Sequence, residues 1–197
     1  MASARGRGGR ARRSAARRAA VGAAPVAHRV TLVRHRRLGA HVLKIDIPGH
    51  GTLALDHLLL DVNGTIAAGG ELLPGVAETL AALGDVLDIV AVTADTHGTA
   101  ATLKAEAGIA VKIIERGGEG EQKRDLLREL GAERTVAIGN GANDALMLGE
   151  AAVGIVVIGA EGAAAGAVRA ADVVVTDIGD ALALLADPRR LVATLRS

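Results

Sequence analysis

Cysteine, phenylalanine, tyrosine and tryptophan are all absent from this 197-residue chain. With no thiol there is no disulfide, no cysteine-based zinc site and no thiol nucleophile. With no Phe, Tyr or Trp, recognition by stacking nucleobases on those rings is excluded. Hydrophobic residues nevertheless make up 50% of the sequence, so a core is available, and Val, Leu, Ile and Ala must build it. Long apolar runs are missing as well. The most apolar stretch, Ala151 to Ala160, stops at Glu161, whereas a membrane-spanning helix needs about 20 apolar residues. The first 20 residues lack the apolar centre of a secretory signal, and a cytoplasmic location is the expectation.

Acidic residues are missing from one part of the chain only. Residues 1–45 carry 12 of the 23 basic residues and no acid, while residues 46–197 carry the other 11 and all 22 acids. A net charge of +1 therefore conceals a basic arm of +12 and an acidic body of −11. Up to about residue 27 the arm is Ala, Arg, Gly and Ser in low-complexity order. It offers almost no large apolar side chains to offset the entropy of ordering, and it reads as disordered. The arm is drawn as residues 1–41 and the folded domain as 42–197. A phosphate-binding tail for nucleic acid, an organelle transit peptide and an over-extended start are the alternatives to a solvated tail.

From Val42 onward, short apolar runs alternate with helical spacing. His41 to Ile47 alternates, Pro48-Gly49 turns, and Thr52 to Leu55 continues into Leu58-Leu59-Leu60. Helices are expected over 75–83, 99–107, 122–130, 145–151 and 161–170 and at the C-terminus. Strands are expected over 86–92, 111–114, 135–138, 154–158 and 173–175. Apolar strands alternating with helices imply a mainly parallel sheet covered on both faces. Ligands bind such sheets beyond the carboxyl ends of the strands. Three of those ends carry polar clusters: Asp61-Val-Asn-Gly-Thr65, Thr93-Ala-Asp-Thr96 and Gly139-Asn-Gly-Ala-Asn-Asp144.

Together these clusters suit phosphoryl chemistry. A carboxylate at a strand end, here Asp61, can attack phosphorus and form an aspartyl-phosphate. The amides of the Gly64-Thr65 turn can face an anion. Thr93 can donate its hydroxyl to a phosphate oxygen, with Ala94 supplying a nearby amide, and Lys123 can balance the phosphate charge. Asp144, with Asn140 and Asn143, offers hard oxygen ligands of the kind Mg²⁺ takes.

In this order and spacing, Asp61-Val-Asn-Gly-Thr65, Thr93, Lys123 and Gly139-Asn-Gly-Ala-Asn-Asp144 resemble the four motifs of the haloacid dehalogenase superfamily. The last, running into Ala-Leu-Met-Leu148, is similar to the hinge motif of P-type ATPase phosphorylation domains, and the group of soluble P-type ATPase-like phosphatases is the nearest likeness. The resemblance covers about residues 42–197. It implies a Rossmann-like three-layer α/β/α sandwich and a Mg²⁺-dependent hydrolase. Asp61 takes the place of the nucleophile and a metal ligand, and Asn63 that of the general acid/base, its main-chain carbonyl also meeting the metal. Thr93 and Lys123 take the places of the phosphate-binding hydroxyl and lysine. Asn140 and Asp144 take those of the acidic metal residues.

Two departures from the family pattern stand out. An amide at Asn63 does not titrate, which removes a contribution of typically ~10²–10⁴-fold to proton transfer. Asn140 removes one negative charge from the metal site. Only 27 residues separate Thr65 from Thr93, and 29 separate Thr93 from Lys123; neither gap accommodates a cap domain. An open site implies a phosphorylated substrate, large molecules and phosphoproteins included, or a second copy of the chain as a lid. A catalytically weak phosphate- or phosphoprotein-binding module is the rival reading. Nucleic acid enters only through the basic arm, and no membrane is implied. The six histidines are scattered with no helical metal-ligand pair, and His97, just past Thr93, reads as a solvated loop residue.

Overall fold

The alternation seen in His41 to Ile47 has a direct structural expression: Leu43, Ile45 and Ile47 are buried while Lys44 and Asp46 face solvent. A computed structural model describes residues 30–34, 41–94 and 99–197. In it β1 (Val30–Arg34), β2 (His41–Ile47) and β3 (Gly51–Leu55) form an antiparallel sheet in that order. The strand β1 lies within the stretch assigned above to the arm, so the boundary at 41 cuts this sheet. The β-prone Val-Thr-Leu-Val pairs along β2, Leu32 opposite Leu43, and covers an edge that would otherwise stay open. Residues 1–29 and 35–40 lie outside the described residues, as does His97.

The remaining elements are β4 (His57–Asp61), the two-residue strands β5 (Ala67–Ala68) and β6 (Glu71–Leu72), α1 (Val76–Leu83), β7 (Asp88–Thr93), α2 (Thr99–Glu106) and β8 (Ala110–Ile113). Then follow α3 (Glu119–Leu130), β9 (Thr135–Gly139), α4 (Ala145–Glu150), β10 (Val153–Val157), α5 (Ala165–Ala170), β11 (Val173–Val175), α6 (Ile178–Ala186) and α7 (Pro188–Leu195). Six strands form one sheet in the order β11-β10-β9-β4-β7-β8, every pairing parallel. Alternate residues of these strands feed two cores. Leu58, Leu60, Ile138 and Ile155 pack with α1, α2, α6, α7 and the small sheet, whereas Leu59, Val92, Ala137 and Val156 pack with α3, α4 and α5. The fold is thus an α/β/α sandwich with an aliphatic core.

Three local expectations change. Thr52 to Leu60 is not one run but two strands in different sheets, broken at Asp56. There the main-chain N–H donates to Arg134 O and the carbonyl accepts from Asp88 N, and the side chain pairs with Arg134. Helix α3 begins at Glu119, three residues early, because Gly118 adopts φ 69° and Glu119 Oε1 accepts from Gly117 N at 3.0 Å. Helix α5 begins at Ala165, not at 161, because residues 159–162 form a tight turn closed by Gly162 N donating to Gly159 O. No helix among the described residues is long and apolar enough to cross a membrane.

Candidate functional site

Strand β4 lies between β7 and β9 at the point where the connections change direction, the position at which an open parallel sheet leaves a crevice. Asp61, Thr93 and Gly139 end these three strands side by side. Helix α3 then brings Lys123 across from the other layer, and its Nζ lies 2.7 Å from both Asp61 Oδ1 and Asp144 Oδ1. The lysine is 2% exposed and Asp144 0%. A buried ammonium is tolerated only where opposite charges meet it, and here two carboxylates do so.

Asp61 Oδ2 accepts the Thr65 hydroxyl at 2.9 Å. The same hydroxyl lies 3.3 Å from Asn140 Oδ1, so its single proton is shared between the two acceptors. Burial, then the neighbouring Asp144 charge, push the Asp61 carboxyl up to about 6, against the opposing pull of Lys123 and Thr65. For Lys123, burial works against the ammonium, but the two carboxylates overcome it and hold its pKa above the ordinary lysine range.

Asp61, Asn63, Thr93, Ala94, Lys123 and Asn140 line one cavity of about 350 Å³, together with Ile114, Glu119, Gly141, Asn143 and Glu161. Within it, Asn63 Nδ2 donates to Thr93 Oγ1 at 3.4 Å. Two expected site features are placed differently. The amides of Gly64 and Thr65 do not face an anion, because they are committed inside the turn, to Ala67 O at 2.8 Å and Val62 O at 3.2 Å. Both residues line a neighbouring cavity of about 190 Å³ instead. Asp144 sits behind Lys123, not in the cavity wall. Its Oδ2 accepts from the amides of Asn140 and Gly141 at 2.9 and 2.7 Å, so it anchors the lysine and the loop. Gly139 makes room for it, since a Cβ there would lie 2.5 Å from Asp144 Cγ.

Glu119 and Glu161 are cavity residues that the sequence reading passed over. Glu161 lies four residues beyond the carboxyl end of β10, in the turn that the strand-end rule applied to that strand would have flagged; Glu119 lies just ahead of the helix expected from residue 122. Among the described residues, no three His, Cys, Asp or Glu side chains gather closely enough to hold a metal by themselves. The donors present are nevertheless hard ones. Asp61 Oδ2 and Asn140 Oδ1 converge on one hydroxyl, a set that suits Mg²⁺ and not a thiophilic metal.

Residues 6–152 match the family model of the haloacid dehalogenase-like hydrolases. An uncharacterized protein of Methanocaldococcus jannaschii, MJ0073, is 48% identical over 84 residues, which is 41% of this chain and 90% of that protein. A probable cation-transporting ATPase G of Mycobacterium tuberculosis is 39% identical over 94 residues, 47% of this chain but 12% of that protein. Among solved structures, 3-deoxy-D-manno-octulosonate 8-phosphate phosphatase from Moraxella catarrhalis, in complex with magnesium, phosphate and the sugar acid, superposes with a TM-score of 0.56 at 17% identity. It covers 72% of this chain and 94% of that one. A haloacid dehalogenase family protein from Streptomyces avermitilis gives 0.51 at 21% identity, covering 72% and 84%.

Proposed function

The chain belongs to the haloacid dehalogenase-like hydrolases, and on that premise we propose that it is a Mg²⁺-dependent phosphohydrolase acting through Asp61. The observation that carries this reading is the convergence of Asp61, Thr93 and Lys123 on one cavity at the central strand ends. An oxygen of Asp61 forms a bond to phosphorus as the bond to the leaving group breaks, and that group departs with the electron pair. Water then attacks the phosphorus, phosphate leaves, and the carboxylate is restored. Lys123, anchored by Asp144, holds the Asp61 carboxylate in place, and Thr93 donates to a phosphate oxygen. Asp61, the main-chain carbonyl of Asn63 and the side chain of Asn140 would hold Mg²⁺, whose charge, when bound, neutralises the phosphoryl oxygens. The magnesium and phosphate in the Moraxella structure, which shares this fold, agree with a Mg²⁺-dependent phosphohydrolase.

Asn63 carries no proton to give, so leaving groups that depart as stable anions, acyl and aryl phosphates, are preferred over alkyl monoesters. The gap from Thr65 to Thr93 holds only β5, β6, α1 and β7, and that from Thr93 to Lys123 only α2, β8 and the start of α3 among the described residues. An open site of this kind admits a large phosphorylated substrate or a second copy of the chain. We place the protein in the cytoplasm, with the basic residues ahead of β1 outside the chemistry.

The test is a screen of acyl, aryl and alkyl phosphates with the purified full chain and Mg²⁺. Turnover should vanish in Asp61→Asn, and alkyl monoester turnover should rise, by up to ~10²-fold, in Asn63→Asp. The amides at Asn63 and Asn140 favour a second reading, a module that binds phosphate or phosphoproteins without turning them over. Absence of both turnover and a Mg²⁺-dependent phosphoenzyme would decide for it.

A further inference from the structure

Glu161 is the one residue that lines both the Asp61 cavity and its smaller neighbour. Its Oε2 lies 2.8 Å from the point a Cβ on Gly64 would occupy, and the same point lies 2.6 Å from Asn140 Nδ2. The Glu161 carboxylate and the Asn140 side chain therefore both reach the space above Gly64, in the turn that follows Asp61. Gly64, at φ 80°, leaves the room for both.

The turn that carries Glu161 is fastened there by Asn140 itself. Asn140 Nδ2 donates to Gly162 O at 3.4 Å, and Asn140 O accepts from Ala164 N at 2.8 Å. An ionised aspartate at position 140 has no N–H for the Gly162 carbonyl and would set two acceptors against each other. An asparagine instead keeps Oδ1 on the Thr65 side, near Asp61, and uses Nδ2 to hold the turn. The acid missing from position 140 is thus accompanied by another in the wall of the same cavity.

We propose that Glu161 is the further carboxylate of the Mg²⁺ site, standing in for the charge that Asn140 does not supply. The proposal rests on the reading of the Asp61 cavity as a Mg²⁺ site. No lysine, arginine or histidine among the described residues pairs with Glu161. Glu119, the other glutamate of the cavity, already accepts from Gly117 N at 3.0 Å. Mg²⁺ keeps several of its waters in protein sites, so a carboxylate on an exposed turn serves it as a hydrogen-bond acceptor for those waters. Glu161 is on these grounds a positioning residue, acting on the metal and not on the phosphoryl group.

The experiment measures Mg²⁺ affinity directly, by calorimetric titration of the full-length protein and by the rise in melting temperature with added Mg²⁺. Glu161→Gln should weaken Mg²⁺ binding ~10–100-fold, the range found for residues that hold a metal's outer shell. It should leave the melting temperature in chelator unchanged, while Glu78→Gln, on the far-removed helix α1, leaves Mg²⁺ affinity within about twofold. A Glu161→Gln protein that binds Mg²⁺ like wild type overturns the proposal and leaves the Mg²⁺ site standing. Unchanged affinity with lost turnover also overturns it, since the residue then acts on something other than the metal. If the wild-type protein itself binds no Mg²⁺, the metal reading and this proposal fall together.

Discussion

Asp61→Asn should make the metal-free protein more stable at neutral pH, although it removes the group on which the proposed chemistry depends. The Asp61 carboxyl is pushed up to about 6 from an ordinary 3.8, by burial and by the charge of Asp144. One pKa unit corresponds to about 1.36 kcal/mol, so ionised Asp61 costs the folded state ~3 kcal/mol relative to its neutral form. The attraction of Lys123 is already contained in that value, because it is what keeps the shift from being larger. A raised carboxyl pKa means that the folded chain holds the proton longer than the unfolded one. Its contribution to stability is complete below pH 3.8 and is lost as pH rises through about 6. The neutral amide has no such loss. The stability difference, variant minus wild type, should therefore grow by ~2–3 kcal/mol between pH 4 and pH 7.5, roughly 4–12 °C in Tm for a chain of this size. The measurement is urea unfolding in chelator, followed by far-ultraviolet circular dichroism because no tryptophan or tyrosine is present to report. Titrations of groups remote from Asp61, Lys123 and Asp144 cancel in the difference. A difference that stays flat with pH, or that shrinks as pH rises, refutes the reasoning. Adding Mg²⁺ should then favour the wild type, since an ion held by the ionised carboxylate would stabilise by mass action.

Two further variants probe the same assembly. Lys123→Met leaves Asp61 and Asp144 facing each other without their shared cation. It should cost ~3–5 kcal/mol at pH 8 and visibly less at pH 5, where protonation relieves the repulsion; an equal loss in urea unfolding at both pH values contradicts this. Gly139→Ala sets a methyl 2.5 Å from Asp144 Cγ and 2.6 Å from its Oδ2. Displacing that carboxylate should lower stability by ~1–3 kcal/mol and abolish turnover through Lys123, and a melting temperature within one degree of wild type would show that the crowding is relieved at no cost.

What the sequence disclosed was governed by range. The strand ends at Asp61, Thr93 and Gly139 are legible because apolar runs stop there in polar clusters, and the parallel sheet follows from those runs. Where neighbours in space decide, the pattern is silent. Asp56 breaks a run that reads as continuous because its partners, Arg134 and Asp88, are remote in the chain. Glu161 reads as the start of a helix because the bonds that fix its turn come from Asn140. The amides of Gly64 and Thr65 look available in the motif, yet the turn they close consumes them. Asp144 carries the right chemistry for a metal ligand, and only the packing of Lys123 against it shows that it works from behind the cavity. The strand β1 was hidden in a basic, low-complexity neighbourhood until β2 supplied its partner.

The ion triad also dates the site within the folding of the chain. Lys123 is 62 residues from Asp61 and 21 from Asp144, Thr65 is 75 from Asn140, and Asn63 is 30 from Thr93. Contacts of such span form only after the entropy of closing their loops has been met by packing elsewhere. The nascent chain thus carries no half-built centre. Until β9 has docked beside β4 and α3 has settled over them, Asp61 is an ordinary carboxylate at the end of a strand still open along one edge. Competence for chemistry and completion of the sheet arrive as one event, which ties every defect in the central strands to the site as directly as a change in the site itself.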